Sequence, residues 1–329
     1  MEKRVKIVLD TRGGDNGPEV LMEGAAAALE KFPQLSYLIV GNAQEMLSCC
    51  QKLQMPMDHV ELLHAAEEIT NYDNPAEALF KKTDSSMLKG LQTLADREDL
   101  FGMLTTGNTG VLLTGAMRYL AGKERVRPAL AAILPAQSGG FTCLVDTGAT
   151  IDCTSGILHH FARLGSAYMR DMYAIERPRV GLLSNGAESS KGNKLVKETY
   201  PLLEADESLN FVGNIEGNNA LSGSCDVLVC DGFAGNQVLK VTEGTAMRII
   251  TDIVKYAKRT DSQEIGALVK HLMGVYDIGS LGGGTILGIA KPVIKLRGNA
   301  TQGAVVNTSE MLLNMAQNKA VFDAARNKI

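Results

Sequence analysis

The feature that most constrains this chain is a unit that recurs along it. A short apolar run stops at a turn rich in Gly, Asp and Asn and opens into an amphipathic helix. Its fullest form is Asp226-Val-Leu-Val-Cys-Asp-Gly-Phe-Ala-Gly-Asn-Gln-Val-Leu-Lys240. Here a buried strand is expected over 227–230, a turn over 231–236 and a helix from about Gln237. Such a junction leaves backbone N–H groups unpaired at the helix N-terminus, where the helix dipole favours negative charge. Gly232 and Gly235 suit a backbone that approaches a ligand closely or takes positive φ. One such turn says little; its recurrence carries the argument.

Strand patterns at 5–10, 37–41, 60–64, 100–105, 180–183, 211–213, 227–230 and 293–296 alternate with helical ones, and 129–134 with 141–145 reads as a hairpin. The helices are expected at 44–53, from Asn74-Pro75 to about 82, and at 85–97, 111–120, 157–174 and 304–326. This order predicts an α/β fold with a mostly parallel sheet layered with helices. Residues 1–329 are expected to form a single catalytic domain. Two helices at 238–258 and 264–275 interrupt the alternation and predict a projecting helical hairpin at about 241–275. A turn is expected over 281–285.

Net charge is −4 without a long basic run, which argues against nucleic acid. No apolar run reaches 18 residues, so neither a signal peptide nor a membrane span is expected. The six cysteines lack zinc-ligand spacing and read as reduced thiols of a cytoplasmic protein. His159-His160 lies within a helix, where adjacent side chains point apart. No G-x-S-x-G, Walker loop or catalytic cysteine context is present, and Gly13-Gly14-Asp15 is not a dinucleotide fingerprint. Neither a metal nor a cofactor is expected.

In open α/β sheets ligands bind beyond the carboxyl ends of the strands. Five turns fit that edge: 10–18, 105–110, 146–152, 184–193 and 231–236. They are built of Gly, Asn, Asp, Ser and Thr, and Lys191 is the cation of the longest. Backbone amides, carboxamides and one ammonium suit a phosphate or a polar acyl group. Asp10, Asp15, Asp146, Asp152 and Asp231 stand at these exits. Metal binding, orientation of Lys191 or of arginines, and turn capping all remain open for them.

The motifs Asp10-x-x-Gly-Gly-Asp-x-x-Pro18, Ser85-Ser-Met87, Gly107-Asn-Thr-Gly110, Arg127-Pro-Ala-Leu130, Gly148-Ala-x-x-Asp152, Lys191-Gly-Asn193 and Asp231-Gly-Phe-x-Gly-Asn236 span nearly the whole chain. Together they resemble the bacterial phosphate acyltransferase of phospholipid synthesis. The resemblance implies a fold like that of isocitrate and isopropylmalate dehydrogenases and a homodimer. It implies transfer of a fatty acyl group from acyl carrier protein to inorganic phosphate, giving an acyl phosphate for a downstream glycerol-3-phosphate acyltransferase. Asn108, Lys191, Asp231 and Asn236 are then the expected catalytic residues. Gly13, Gly14, Asp15, Gly107, Thr109, Asn193 and Gly235 are expected to bind substrate. By their chemistry, Lys191 is assigned to phosphate and Asn108 or Asn236 to the acyl oxyanion.

Arg12, Thr106, Thr150, Leu281 and Arg297 depart from the family pattern, which has Met, Ala, Asn, Tyr and His there. The region of the hairpin is linked in that family to dimer contacts and reversible membrane association. The hairpin tip here, at 256–264, is polar, so weak or no membrane binding is expected of a cytoplasmic protein at most peripheral to the membrane's inner face. Two other readings stand beside this one: a related acyltransferase using a short acyl group or coenzyme A, and a non-catalytic acyl- or phosphate-binding paralogue.

Overall fold

Burial at every position, rather than at alternate ones, marks a strand covered on both faces, and all seven residues of Leu35–Gly41 are buried. A computed structural model describes residues 4–122, 126–260, 262–276 and 283–317. In chain order the elements are β1 (Val5–Asp10), α1 (Gly17–Lys31), β2 (Leu35–Gly41), α2 (Ala43–Lys52), β3 (Val60–His64), α3 (Pro75–Lys81), α4 (Ser86–Asp96), β4 (Leu100–Thr105) and α5 (Thr109–Tyr119). Then come β5 (Ala129–Pro135), β6 (Phe141–Val145), α6 (Ser155–Tyr173), β7 (Arg179–Ser184), α7 (Lys194–Glu204), β8 (Asn210–Glu216) and β9 (Val227–Val229). The last are α8 (Gly232–Thr260), α9 (Gln263–Tyr276), β10 (Gly284–Leu287), β11 (Val293–Lys295) and α10 (Gln302–Gln317).

The chain resolves into two compact units, Met1–Pro128 with Gly279–Ile329, and Ala129–Ile278. The first unit has strand order β3-β2-β1-β4-β11-β10. All its neighbours are parallel except the β10–β11 pair. Helix α1 packs on α10, and Tyr37, fully buried on β2, hydrogen-bonds through its hydroxyl to Ser309 on α10 at 2.6 Å. Helix α4 lies on β1, β2 and β4, and α5 lies on α4. Lys291, just before β11, donates to the carbonyls of Leu94, Arg97 and Leu100, which ties that segment to the turn between α4 and β4.

The second unit has strand order β5-β6-β9-β7-β8, with the expected antiparallel hairpin β5–β6 and parallel pairs elsewhere. Helix α6 packs on β6 and β9 and against α7. Leu134, Leu144, Leu228 and Cys230 form a core cluster, and Val238 and Leu239 of α8 pack against it. Helices α8 and α9 contact each other. From residue 241 to 276 the only buried side chain among the described residues is Ile250, at 3% exposure.

Two local expectations need correction. Helix α8 starts at Gly232, not near Gln237, because Asp231 Oδ1 accepts the Ala234 N–H at 2.7 Å and caps the helix directly after the strand. Gly284 and Thr285, expected in a turn, belong to β10, which pairs with β11. Leu281 and the part of the expected closing helix beyond residue 317 lie outside the described residues.

Candidate active site

The exits of β1 and β4 are built into one another. Asp10 closes β1 and is fully buried. Its Oδ2 accepts the Thr105 hydroxyl at 2.7 Å, and its Oδ1 accepts the Arg12 N–H at 3.1 Å. Thr105 Oγ1 in turn accepts the Gly107 N–H at 3.1 Å, so Asp10 holds the loop after β4 through one hydroxyl. Burial pushes the Asp10 carboxyl up to about 6, against these hydrogen bonds. Gly13 has φ +86°, and a Cβ there would stand 2.9 Å from Gly107 Cα, so the two loops touch where neither has a side chain. Arg12 reaches from the same loop to Glu45 and Glu68, at 2.6 and 3.3 Å.

Asn108 is the N-cap of α5. Its Oδ1 takes the N–H groups of Gly110 and Val111 at 2.9 and 3.2 Å, and its Nδ2 donates to the carbonyls of Thr70 and Asp73 at 3.1 and 3.3 Å. The carboxamide is therefore engaged at both ends. Thr109 is the first residue of α5. Asp15 is exposed, and its N–H donates to Gly298 O at 2.7 Å, which joins the exit of β11 to these loops. At that exit Lys295 Nζ donates to Thr106 O at 3.0 Å. Sequence reasoning missed Lys295; the available signal was a lysine ending an otherwise apolar strand, Val293-Ile-Lys295.

In the second unit the organising group is Asp146. It is fully buried at the end of β6 and accepts N–H groups from Leu130, Gly148, Ala149 and Thr150 at 2.9, 3.3, 3.0 and 2.6 Å. Burial raises its pKa against those four donors. Of the roles left open for it, capping is the one displayed. The loop it folds receives the start of α8: Gly232 N–H donates to Thr150 O at 2.8 Å. A Cβ on Gly235 would land on the carbonyl oxygen of Asp146, so this glycine serves close helix-to-loop packing. Asn236, one residue on, is partly buried, and its carboxamide makes no hydrogen bond among the described residues.

The loop after β7 closes on itself. Gly192 N–H donates to Asn185 Oδ1 at 2.9 Å, and Asn193 Oδ1 caps α7 at the Val196 N–H at 2.9 Å. Lys191 is exposed, and its ammonium has no ion pair among the described residues. No ion pair joins it to Asp231, which serves α8 instead. Asp152 is exposed in the loop before α6. No three His, Cys, Asp or Glu side chains among the described residues are grouped as a metal site.

Mostly parallel strands that alternate with helices and exit into loops of Gly, Asn, Asp and Thr define an α/β protein. A solved phosphotransacetylase from Streptococcus pyogenes shares the fold, with a TM-score of 0.66 at 17% identity, covering 96% of this chain and 95% of that one. A 4-hydroxythreonine-4-phosphate dehydrogenase from Burkholderia phymatum does so at a TM-score of 0.50 and 13% identity, over 98% and 99%. The chain belongs to the family described as fatty acid synthesis protein, whose profile matches residues 5–321. A relative named phosphate acyltransferase, from Thermoanaerobacter pseudethanolicus, is 38% identical over 320 residues, 95% of this chain and 94% of that protein. The protein is thus an acyltransferase of the phosphate acyltransferase family.

Proposed function

We propose that the protein moves a fatty acyl group from the thioester of acyl carrier protein to inorganic phosphate. The products are an acyl phosphate for phospholipid synthesis and the free carrier thiol. The observation that supports this most directly is near-full-length similarity to proteins named phosphate acyltransferase. The loop chemistry agrees with it. Phosphate is anionic at neutral pH and attacks the thioester carbonyl without a strong general base, and the thiolate is a modest base, near pKa 8.5, and so a competent leaving group. What the protein must supply is position and stabilisation of the tetrahedral oxyanion.

Lys191 is assigned to the charge of phosphate, since its ammonium is exposed and unpaired among the described residues. Asn236 is the better oxyanion donor of the two carboxamides, because that of Asn108 is already engaged at both ends. Asn108 then acts by fixing the start of α5, and Asp231 and Asn193 by fixing the starts of α8 and α7. The same reading includes a homodimer and a downstream glycerol-3-phosphate acyltransferase as the consumer of the product.

The test is to incubate the protein with acyl-acyl carrier protein and phosphate, trap acyl phosphate with hydroxylamine and titrate the released thiol. Equal, phosphate-dependent yields of hydroxamate and thiol are expected, with acyl-coenzyme A the poorer donor. Thiol release that ignores phosphate would sink the proposal.

A further inference from the structure

The exits of β1, β4 and β11 surround one side chain whose burial the preceding site does not explain. Thr106 is 2% exposed, and its hydroxyl has no hydrogen-bond partner among the described residues. Buried hydroxyls are normally paired, because leaving one unpaired is destabilising. This one lies against bare backbone: a Cβ on Gly14 would stand 2.7 Å from Thr106 Oγ1 and 3.2 Å from Gly298 O. The N–H groups of Gly13 and Gly14 donate to nothing among the described residues. The Lys295 ammonium rests on the carbonyl of Thr106 itself, which sets a positive charge at the same residue. Two carboxylates are close. Asp10 is turned to Thr105 and Arg12 N–H, while the Asp15 carboxylate lies over Gly298, 2.5 Å from where a Cβ would be.

We propose that Thr106, with the N–H groups of Gly13 and Gly14, forms a seat for one inorganic phosphate ion, balanced by Lys295 and selected by Asp15. Phosphate keeps a proton near neutral pH and can donate it in a hydrogen bond to the Asp15 carboxylate; sulfate has none to give. The proposal deepens the acyl-transfer reading in taking phosphate as the substrate, and it names a second place for that ion, separate from the assignment to Lys191. Thr106 is then a determinant of phosphate affinity, since its hydroxyl gains a partner only when the ion is present.

Thermal unfolding of the full chain with inorganic phosphate, and separately with sulfate, tests this directly. Phosphate is expected to raise the wild-type Tm saturably, and sulfate to raise it less. Thr106→Val has nearly the same shape without the hydroxyl. It should melt at or above the wild-type temperature in the absence of phosphate and need about tenfold more phosphate for the same rise. Thr106→Ser should restore the wild-type response. A Thr106→Val curve that overlays the wild type, or a wild type indifferent to phosphate, overturns the seat; equal protection by sulfate removes Asp15 from it. If the shifts appear but no acyl phosphate is made, the seat stands and the acyl-transfer reading falls. If acyl phosphate is made with an unchanged phosphate KM in Thr106→Val, the seat falls and the reaction stands.

Discussion

A lysine ammonium on an exposed loop contributes little to folding, so its removal reads out binding almost alone. Lys191→Ala should leave the Tm within about a degree or two of wild type. If the ammonium meets phosphate, its loss removes a charge-assisted contact of about 1.5–3 kcal/mol. Acyl phosphate formation at subsaturating phosphate should then fall by roughly ten- to a hundredfold; an unchanged phosphate dependence would take Lys191 out of the reaction. Asp10 behaves in the opposite way, because its ionisation is coupled to the fold. Its carboxyl titrates near 6 when buried and near the ordinary 3.8 when free. Between those values the folded state holds the extra proton, so stability falls as pH rises through this window, by up to about 3 kcal/mol at 1.36 kcal/mol per unit. Asp10→Asn has no charge to bury, and its stability relative to wild type should climb from pH 4 to pH 6.5. Parallel pH profiles for the two proteins in denaturant titrations would show that Asp10 is not the group responsible.

At the scale of the element, the start of α8 is where reading the residues went furthest and also missed. The strand before it was legible, since a buried apolar run stopping at Asp-Gly is a local signal, whereas the capping role of Asp231 was one of several left open and shows only in its contact with the Ala234 N–H. The helix start was not legible, because Gly232 and Gly235 fit a ligand-cradling turn and a tightly packed first helical turn equally well. Only the distant Asp146 loop decides between them. Gly235→Ala should destabilise the protein by about 1–3 kcal/mol, as overpacking does. Gly156→Ala, in the open first turn of α6 with nothing nearer than 4.0 Å, should stabilise it by about 0.5–1 kcal/mol. Equal denaturation midpoints for both variants would contradict the packing found at Gly235. The Asn74-Pro75 helix start was similarly legible: Asn74 Oδ1 takes the N–H groups of Ala76 and Glu77. Lys295 and Thr106 were not, for they are 189 positions apart and only the pairing of β11 with β4 brings them together.

At the scale of the molecule, the hairpin of α8 and α9 leaves Val241, Met247, Ile249, Tyr256, Leu268 and Met273 between 41% and 64% exposed. Exposed apolar surface of this kind marks an interface. The expected outcome is a dimer centred on this hairpin, seen by light scattering at micromolar concentration as twice the chain mass and reduced to the chain mass by Ile249→Glu with Met247→Glu. A monomeric wild type at that concentration ends the idea. Residues 256–260 at the tip read Tyr-Ala-Lys-Arg-Thr, without an apolar wedge, so co-sedimentation with anionic vesicles at physiological salt is expected to be slight.

The split of the first unit between the two ends of the chain carries a further consequence, one of time. On the ribosome β4 is finished long before its parallel neighbour β11 exists, since about 190 residues separate Thr105 from Lys295. Until then one edge of β4 has no strand beside it, and an open strand edge invites pairing with other chains. Residues 129–278 have the whole of that interval in which to fold, while the first unit waits. A nascent chain halted after residue 278 should therefore bind holdase chaperones through residues 100–105, and lose that binding once synthesis passes residue 317.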